Sequence, residues 1–141
     1  MIVKQLSIFL ENRSGRLSEV ASTLGEAGIN MTAFSVAEST DFGILRLIVS
    51  DPDKAMQVLK EKSFGVKLSD VLCLRCPNTP GALAKALEII KDNGIAIEYI
   101  YAFACGDSAN VVIHPDKSEE CIEVLQAHKL ELWAASDLYQ L

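Results

Sequence analysis

The sequence predicts an α+β protein made of two βαββαβ units in tandem, each an antiparallel sheet with its helices on one face. Three observations carry this prediction. Short apolar runs of strand length alternate with stretches whose apolar residues recur at i, i+3, i+4 and i+7. Gly, Pro and Asp stand where the helices should start and stop. The whole series then repeats at a displacement of 66 residues, as 12 to 78, 15 to 81 and 17 to 83 show. A period that long is no solenoid repeat and marks a duplicated domain. The displacement is even, so the two-residue strand alternation keeps its facing in both copies.

In the first copy, Ile2 to Leu10 reads as a strand with Ile2, Leu6, Ile8 and Leu10 on one face. A helix from Gly15 to Ala27 follows, with Leu17, Val20, Ala21 and Leu24 as its apolar stripe and Gly28 as its left-handed terminator. Ile29 to Glu38 is the second strand, and Ser39 to Gly43 turns into a third, Ile44 to Val49. Asp51 is placed to cap a second helix and Pro52 to occupy its first position, with Ala55, Val58 and Leu59 facing inward. Gly65 releases a fourth strand around Val66 to Leu68.

The second copy follows the same order. A strand around Leu72 and Leu74 leads to a turn at Asn78 to Gly81, then a helix with Leu83, Ala86, Leu87 and Ile90 inward. Gly94-Ile95 echoes Gly28-Ile29, and Ile95 to Ala104 and Val111 to Ile113 are strands about a turn at Gly106-Asp107-Ser108. Asp116 and Glu119 have the spacing of a capping box for the last long helix. Leu130 to Ala134 is the final strand, and Ser136 to Leu141 a short tail. The order βαββαβ is the ferredoxin-like, split βαβ arrangement. The domains divide as 1–70 and 71–141. No Pro- or Gly-rich linker separates them, which predicts rigidly placed copies sharing a continuous sheet.

Composition narrows the function. Half of the residues are hydrophobic and 23% charged, as in a packed globular protein. The net charge is −6 with no basic cluster, which argues against nucleic acid and anionic membrane as partners. No apolar run approaches the roughly 18 residues of a membrane helix, and Lys4, Gln5 and Ser7 interrupt any signal-peptide core. The four cysteines lie in apolar segments, which suits a reducing cytoplasm.

The stretch Asn12-Arg13-Ser14-Gly15-Arg16-Leu17 joins the first strand to the first helix. A helix start leaves backbone N–H groups without intrahelical partners, and the macrodipole adds positive charge there. A glycine lets a ligand approach the backbone, and the asparagine amide both donates and accepts, so such a turn can hold an amino acid by its carboxylate. The turn recurs as Asn78-Thr79-Pro80-Gly81-Ala82-Leu83.

With Gly28-Ile29-Asn30 and Gly94-Ile95-Ala96 following in register, the chain resembles a tandem pair of ACT domains. These are small βαββαβ regulatory modules that often bind amino acids. The resemblance covers nearly the whole chain, leaves no catalytic domain outside it, and implies ligand-binding residues. In serine-binding members the turn asparagine, the turn glycine N–H and a second-strand asparagine hold the ligand. The matching positions here are Asn12, Gly15 and Asn30, and Asn78 and Gly81 in the second copy. Ser14, Arg16, Leu17, Thr79, Ala82 and Leu83 complete the two turns. Ser14 stands where the family has proline, and Ala96 where it has the strand asparagine, so the resemblance implies unequal sites with the first dominant.

Other constellations are weaker. Cys73 and Cys76 have C-x-x-C spacing, but residues three apart on a strand point to opposite faces, and no second ligand pair is present for a metal. His114 and His128 have no nucleophile arrangement beside them. Tyr99, Tyr101 and Phe103 share a strand face; they pack on the sheet, or Tyr99 or Tyr101 closes over a ligand at the junction of the copies. Asp41, Phe42 and Gly43 form a turn whose carboxylate could meet a ligand ammonium. Both faces of the Tyr99 to Phe103 strand are apolar, so the face away from the helices needs a cover, and a homodimer is expected.

The expected function is therefore non-enzymatic: an amino acid bound at the junction of the two domains and reported to an enzyme of amino-acid metabolism or through self-association. No cofactor or metal is implied. The alternative is a ligand-free interaction module or regulatory subunit, and third a ferredoxin-like enzyme.

Overall fold

The structure is a computed structural model and describes residues 1–11, 13–38 and 41–141. Asn12 and the Ser39-Thr40 part of the predicted hairpin turn lie outside the described residues. The elements are β1 (Val3–Glu11), α1 (Arg16–Glu26), β2 (Met31–Glu38), β3 (Phe42–Val49), α2 (Pro52–Glu61), β4 (Gly65–Pro77), α3 (Ala82–Asp92), β5 (Ile97–Cys105), β6 (Ser108–Pro115), α4 (Ser118–Ala127), β7 (Glu131–Leu132) and α5 (Ala135–Leu138). They form two compact units. The first comprises Lys4–Ser69 with Ser136–Leu141, and the second Met1–Val3 with Asp70–Ala135.

In the first unit β3 pairs antiparallel with β1 and β2, Leu6 opposite Leu47 and Ile8 opposite Leu45. That register puts Leu6, Ile8, Leu10, Leu45, Leu47 and Val49 on one face, where Val20 and Leu24 of α1 and Ala55 and Leu59 of α2 close the core. Each fully buried leucine contributes about 1.5–3 kcal/mol. The apolar stripe of α1 is narrower than its periodicity predicts: Val20 and Leu24 are buried, whereas Leu17 and Ala21 are exposed. Leu17 sits in the first turn, at the margin of the sheet, and so has less to pack against. Ile2 joins the core of the second unit and not the row of Leu6, Ile8 and Leu10.

In the second unit β6 pairs antiparallel with β4 and β5. Leu72, Leu74, Cys76, Val111 and Ile113 face Ala86, Ile90, Cys121 and Leu125 of the helices. The predicted strands around Val66 and around Leu72 are one 13-residue strand, β4. The last strand is only Glu131–Leu132, because after the Trp133 N–H bonds the Cys73 carbonyl (2.9 Å) the chain turns into α5. The tail is docked on the first unit: Leu138 is wholly buried, and the Tyr139 hydroxyl accepts the Lys4 N–H at 2.8 Å.

All four long helices end alike. The residue after the cap has a positive φ at Gly28 (74°), Ser63 (66°), Gly94 (72°) and Lys129 (60°). In each case the next N–H reaches back to the last turn: Ile29 to Leu24, Phe64 to Leu59, Ile95 to Ile90 and Leu130 to Leu125. These are Schellman closures, two on glycine as expected and two on residues that give no such signal in sequence. At the other helix ends, Asp51 caps α2 as predicted, accepting the Lys54 N–H at 3.1 Å. Asp116 does not cap α4, whose cap residue is Lys117 without a side-chain bond. The Asp116 carboxylate instead accepts the Ala96 N–H (3.0 Å), the role that the Ser50 hydroxyl fills for Asn30 (2.9 Å) at the matching place.

Candidate functional site

The turn after β1 is built by its glycine. Gly15 is the N-terminal cap of α1 with φ 90° and ψ −10°, a left-handed conformation that costs an L-residue about 1–2 kcal/mol. Gly81 repeats it at the start of α3 with φ 85° and ψ −11°. The glycine at each helix start has no side chain to cap it, and a Cβ at either would meet nothing within 4 Å. Both helix starts thus open beside free space at their glycines, an arrangement that suits an anionic group, although at the α3 start the Ala82 N–H already donates to the Thr79 carbonyl (3.3 Å).

Beside this turn in the first unit lies a cavity of about 170 Å³. Its walls come from the end of β1 (Leu10, Glu11), the turn (Arg13), the start of α1 (Arg16, Leu17) and the β2–β3 hairpin (Val36, Glu38, Phe42, Gly43). At roughly 30 Å³ per water the volume holds about six waters, which is small-amino-acid size. Arg16 is the most enclosed charge: its side chain is 13% exposed, its Nη1 donates to the Glu19 carboxylate at 2.7 Å, and its guanidinium carbon lies 4.3 Å from the centre of the Phe64 ring. Its buried Nε has no hydrogen-bond partner among the described residues. Arg13 pairs with Glu11 at 3.3 Å. Two cations and two carboxylates, Glu11 and Glu38, thus border the cavity, the charge pattern of a zwitterion's complement.

The sequence-derived residues divide as follows. Arg16 and Leu17 line the cavity, and Ser14 and Gly15 form the exposed turn beside it. Asn12 lies outside the described residues. Asn30 follows the C-terminal end of α1, and an 11-residue helix is about 16 Å long, so this unit does not bring Asn30 to Gly15. Its amide nitrogen donates to the Leu141 carbonyl (3.3 Å). Asn78, Thr79, Gly81 and Leu83 are exposed and Ala82 half-buried, with the Ala82 N–H donating to the Thr79 carbonyl. Tyr99 and Tyr101 stand opposite His114 and Val112 in the β5–β6 register, on the face away from the helices. Tyr99 stacks on His114 with centroids 4.7 Å apart, and His114 Nε2 lies 3.0 Å from the Glu98 carboxylate.

Sequence reasoning placed Glu11 and Arg13 in or beside the turn without giving them a role, and missed Val36 and Glu38. The available signal was topological: β1 and β2 leave the sheet at the same end, so the hairpin after β2 meets the turn after β1. Cys76 lies in the helix-side core and Cys73 is buried outside it, and burial pushes the Cys73 thiol up to about 12. Burial, with the Asp116 charge adding to it, pushes Cys121 up to about 11. Among the described residues, no helix is long and apolar enough to cross a membrane.

Two βαββαβ units, each opening its first helix at a left-handed glycine turn, define a tandem of one α+β module. The chain belongs to the ACT domain pair family, which matches residues 1–141. It is similar to a protein of known crystal structure from Bacteroides thetaiotaomicron, at 56% identity over 100% of this chain and 98% of the other, with a TM-score of 0.96. It shares its fold with the regulatory subunits of aspartate kinase from Thermus thermophilus (TM-score 0.64, 16% identity, 88% of this chain and 90% of the other) and Thermus flavus (0.65, 19%, 88% of each). No curated protein matches the sequence.

Proposed function

We propose that the protein is a non-enzymatic regulator that binds a small amino acid, with the α1 start and its cavity as the principal contact. The cavity bordered by Glu11, Arg13, Arg16 and Glu38 carries this reading. The ligand carboxylate meets the open N–H groups after Gly15 and the Arg16 guanidinium, and its ammonium meets Glu11 or Glu38. Binding is reported to an enzyme of amino-acid metabolism or through self-association; the shared fold with aspartate kinase regulatory subunits is the reason to look first among such enzymes.

The second reading is an interaction module without its own ligand, or a homodimer formed for that purpose. What favours it is exposed apolar surface on β2, β5 and the adjoining helix starts: Phe34 (59%), Val36, Leu17, Ile100 and Leu83. A thermal-shift screen of the twenty amino acids separates the two. A ligand at 100 times its Kd adds about 2.7 kcal/mol, a rise of roughly 8 °C for a chain of this size. Gly15→Val and Arg16→Gln should each abolish that rise. Flat curves for all twenty favour the interaction module, and sedimentation then shows whether more than the 15.3 kDa species is present.

A further inference from the structure

The duplication allows the same place to be compared in the two copies. At the end of β1 in the first unit, Phe9 and Phe42 pack with ring centroids 6.1 Å apart and fill the corner beside Gly65. The positions 66 residues later are Arg75, Ser108 and Glu131, and Ser63 of the left-handed helix end becomes Lys129. The backbone frame is repeated, since Ser63 and Lys129 have φ of 66° and 60° and close their helices with matching bonds. An apolar filling has been replaced by four polar side chains. These border a cavity of about 500 Å³, within the usual size range of small-molecule sites.

The charges there are not spent on one another. Among the described residues, no ion pair joins Arg75, Lys129 or Glu131 to any partner. Arg75 is nevertheless held in place. Its Nε donates to the Ser108 hydroxyl (3.2 Å), and its guanidinium carbon lies 5.2 Å from the centre of the Trp133 ring. Trp133 is itself pinned: its Nε1–H donates to the Oδ1 of the fully buried Asn110 at 2.7 Å, and its backbone N–H to the Cys73 carbonyl at 2.9 Å. A guanidinium fixed through Nε and its face keeps its two terminal nitrogens as a preset fork for a carboxylate or phosphate.

We propose that the second unit carries a separate oxyanion pocket, in which Arg75 and Lys129 hold the carboxylate or phosphate of a small metabolite and Glu131 accepts a hydrogen bond from its ammonium or hydroxyl group. Ser108, Trp133 and Asn110 are positioning residues for Arg75. The site is distinct from the α1 turn and does not depend on an amino acid binding there.

Trp133 is the only tryptophan, so its fluorescence reports on the pocket. The full chain is titrated with inorganic phosphate, malate and aspartate at constant ionic strength, against chloride, with calorimetry in parallel. At least one of the three should give saturable binding that chloride does not reproduce. Phosphate alone identifies a phosphate ligand, and malate or aspartate a carboxylate. Arg75→Met should weaken binding at least tenfold and Lys129→Gly, which suits the left-handed position, several-fold. Gly15→Val should leave the Trp133 fluorescence titrations with phosphate and malate, which are not amino acids, unchanged. Flat titrations by both methods, an effect that chloride matches, or full affinity in Arg75→Met would overturn the proposal.

Discussion

Replacing Gly28 by alanine and Ser63 by glycine should move the stability of the first unit in opposite directions. Both residues occupy the same place in a Schellman closure, with φ of 74° and 66°. At Gly28 a Cβ would meet nothing within 4 Å, so sterics with neighbours drop out and only the backbone matters. A left-handed L-residue costs about 1–2 kcal/mol, and alanine recovers about 0.4–1 kcal/mol by restricting the unfolded chain. The net loss for Gly28→Ala is therefore about 1 kcal/mol, and Ser63→Gly should gain about half to one. Gly25→Ala is the control. Gly25 lies inside α1 with no positive φ and open space around its missing Cβ, so alanine there should stabilise by about 0.5–1 kcal/mol. Urea midpoints at constant m-value measure all three, with thermal shifts of roughly 3 °C per kcal/mol alongside. If Gly28→Ala and Gly25→Ala shift the midpoint in the same direction, the backbone argument is wrong.

Other outcomes follow from the packing and the site. Leu138→Ala should destabilise by about 2–5 kcal/mol in urea, because a fully buried side chain leaves a cavity; a cost under 0.5 kcal/mol would mean the tail is not a structural part of the first unit. Trp133→Phe removes the donor to the buried Asn110 Oδ1 and should cost about 1–3 kcal/mol, with Asn110→Leu restoring part of that loss in the double variant. Cys73 and Cys121 keep their protons in the folded state to about 12 and 11, above the ordinary 9.0 of the unfolded chain. Stability is therefore intact below pH 9 and falls above it, by about 1.4 kcal/mol per pH unit for each thiol that ionises on unfolding. Cys73→Val should flatten that decline between pH 9 and 10.5. At neutral pH a thiol reagent should modify exposed Cys105 well before the three buried cysteines.

Local chemistry carried much of the fold on its own. Strand alternation, the stripes of the helices, the Asp51-Pro52 start of α2 and the glycines at 15, 28, 81 and 94 act within a few residues, so each was legible as sequence, and the 66-residue repeat assembled them into two like units. The turn glycines announced where a ligand could approach, because only a missing side chain allows that backbone. Interactions between distant residues were decided by tertiary structure alone. Ser63 and Lys129 adopt left-handed φ because the helix closures and the strands that follow hold them there. Asp116 leaves its helix uncapped to bind the Ala96 N–H across the unit, a choice that spacing cannot express. The tail from Ser136 groups with the first unit and Met1–Val3 with the second, since burying Leu138 and Ile2 depends on surfaces formed far away in the chain. Glu11, Arg13, Glu38 and Arg16 meet because parallel β1 and β2 deliver their loops to one end of the sheet, while Asn30, at the far end of α1, is kept away from the turn with which its motif pairs it.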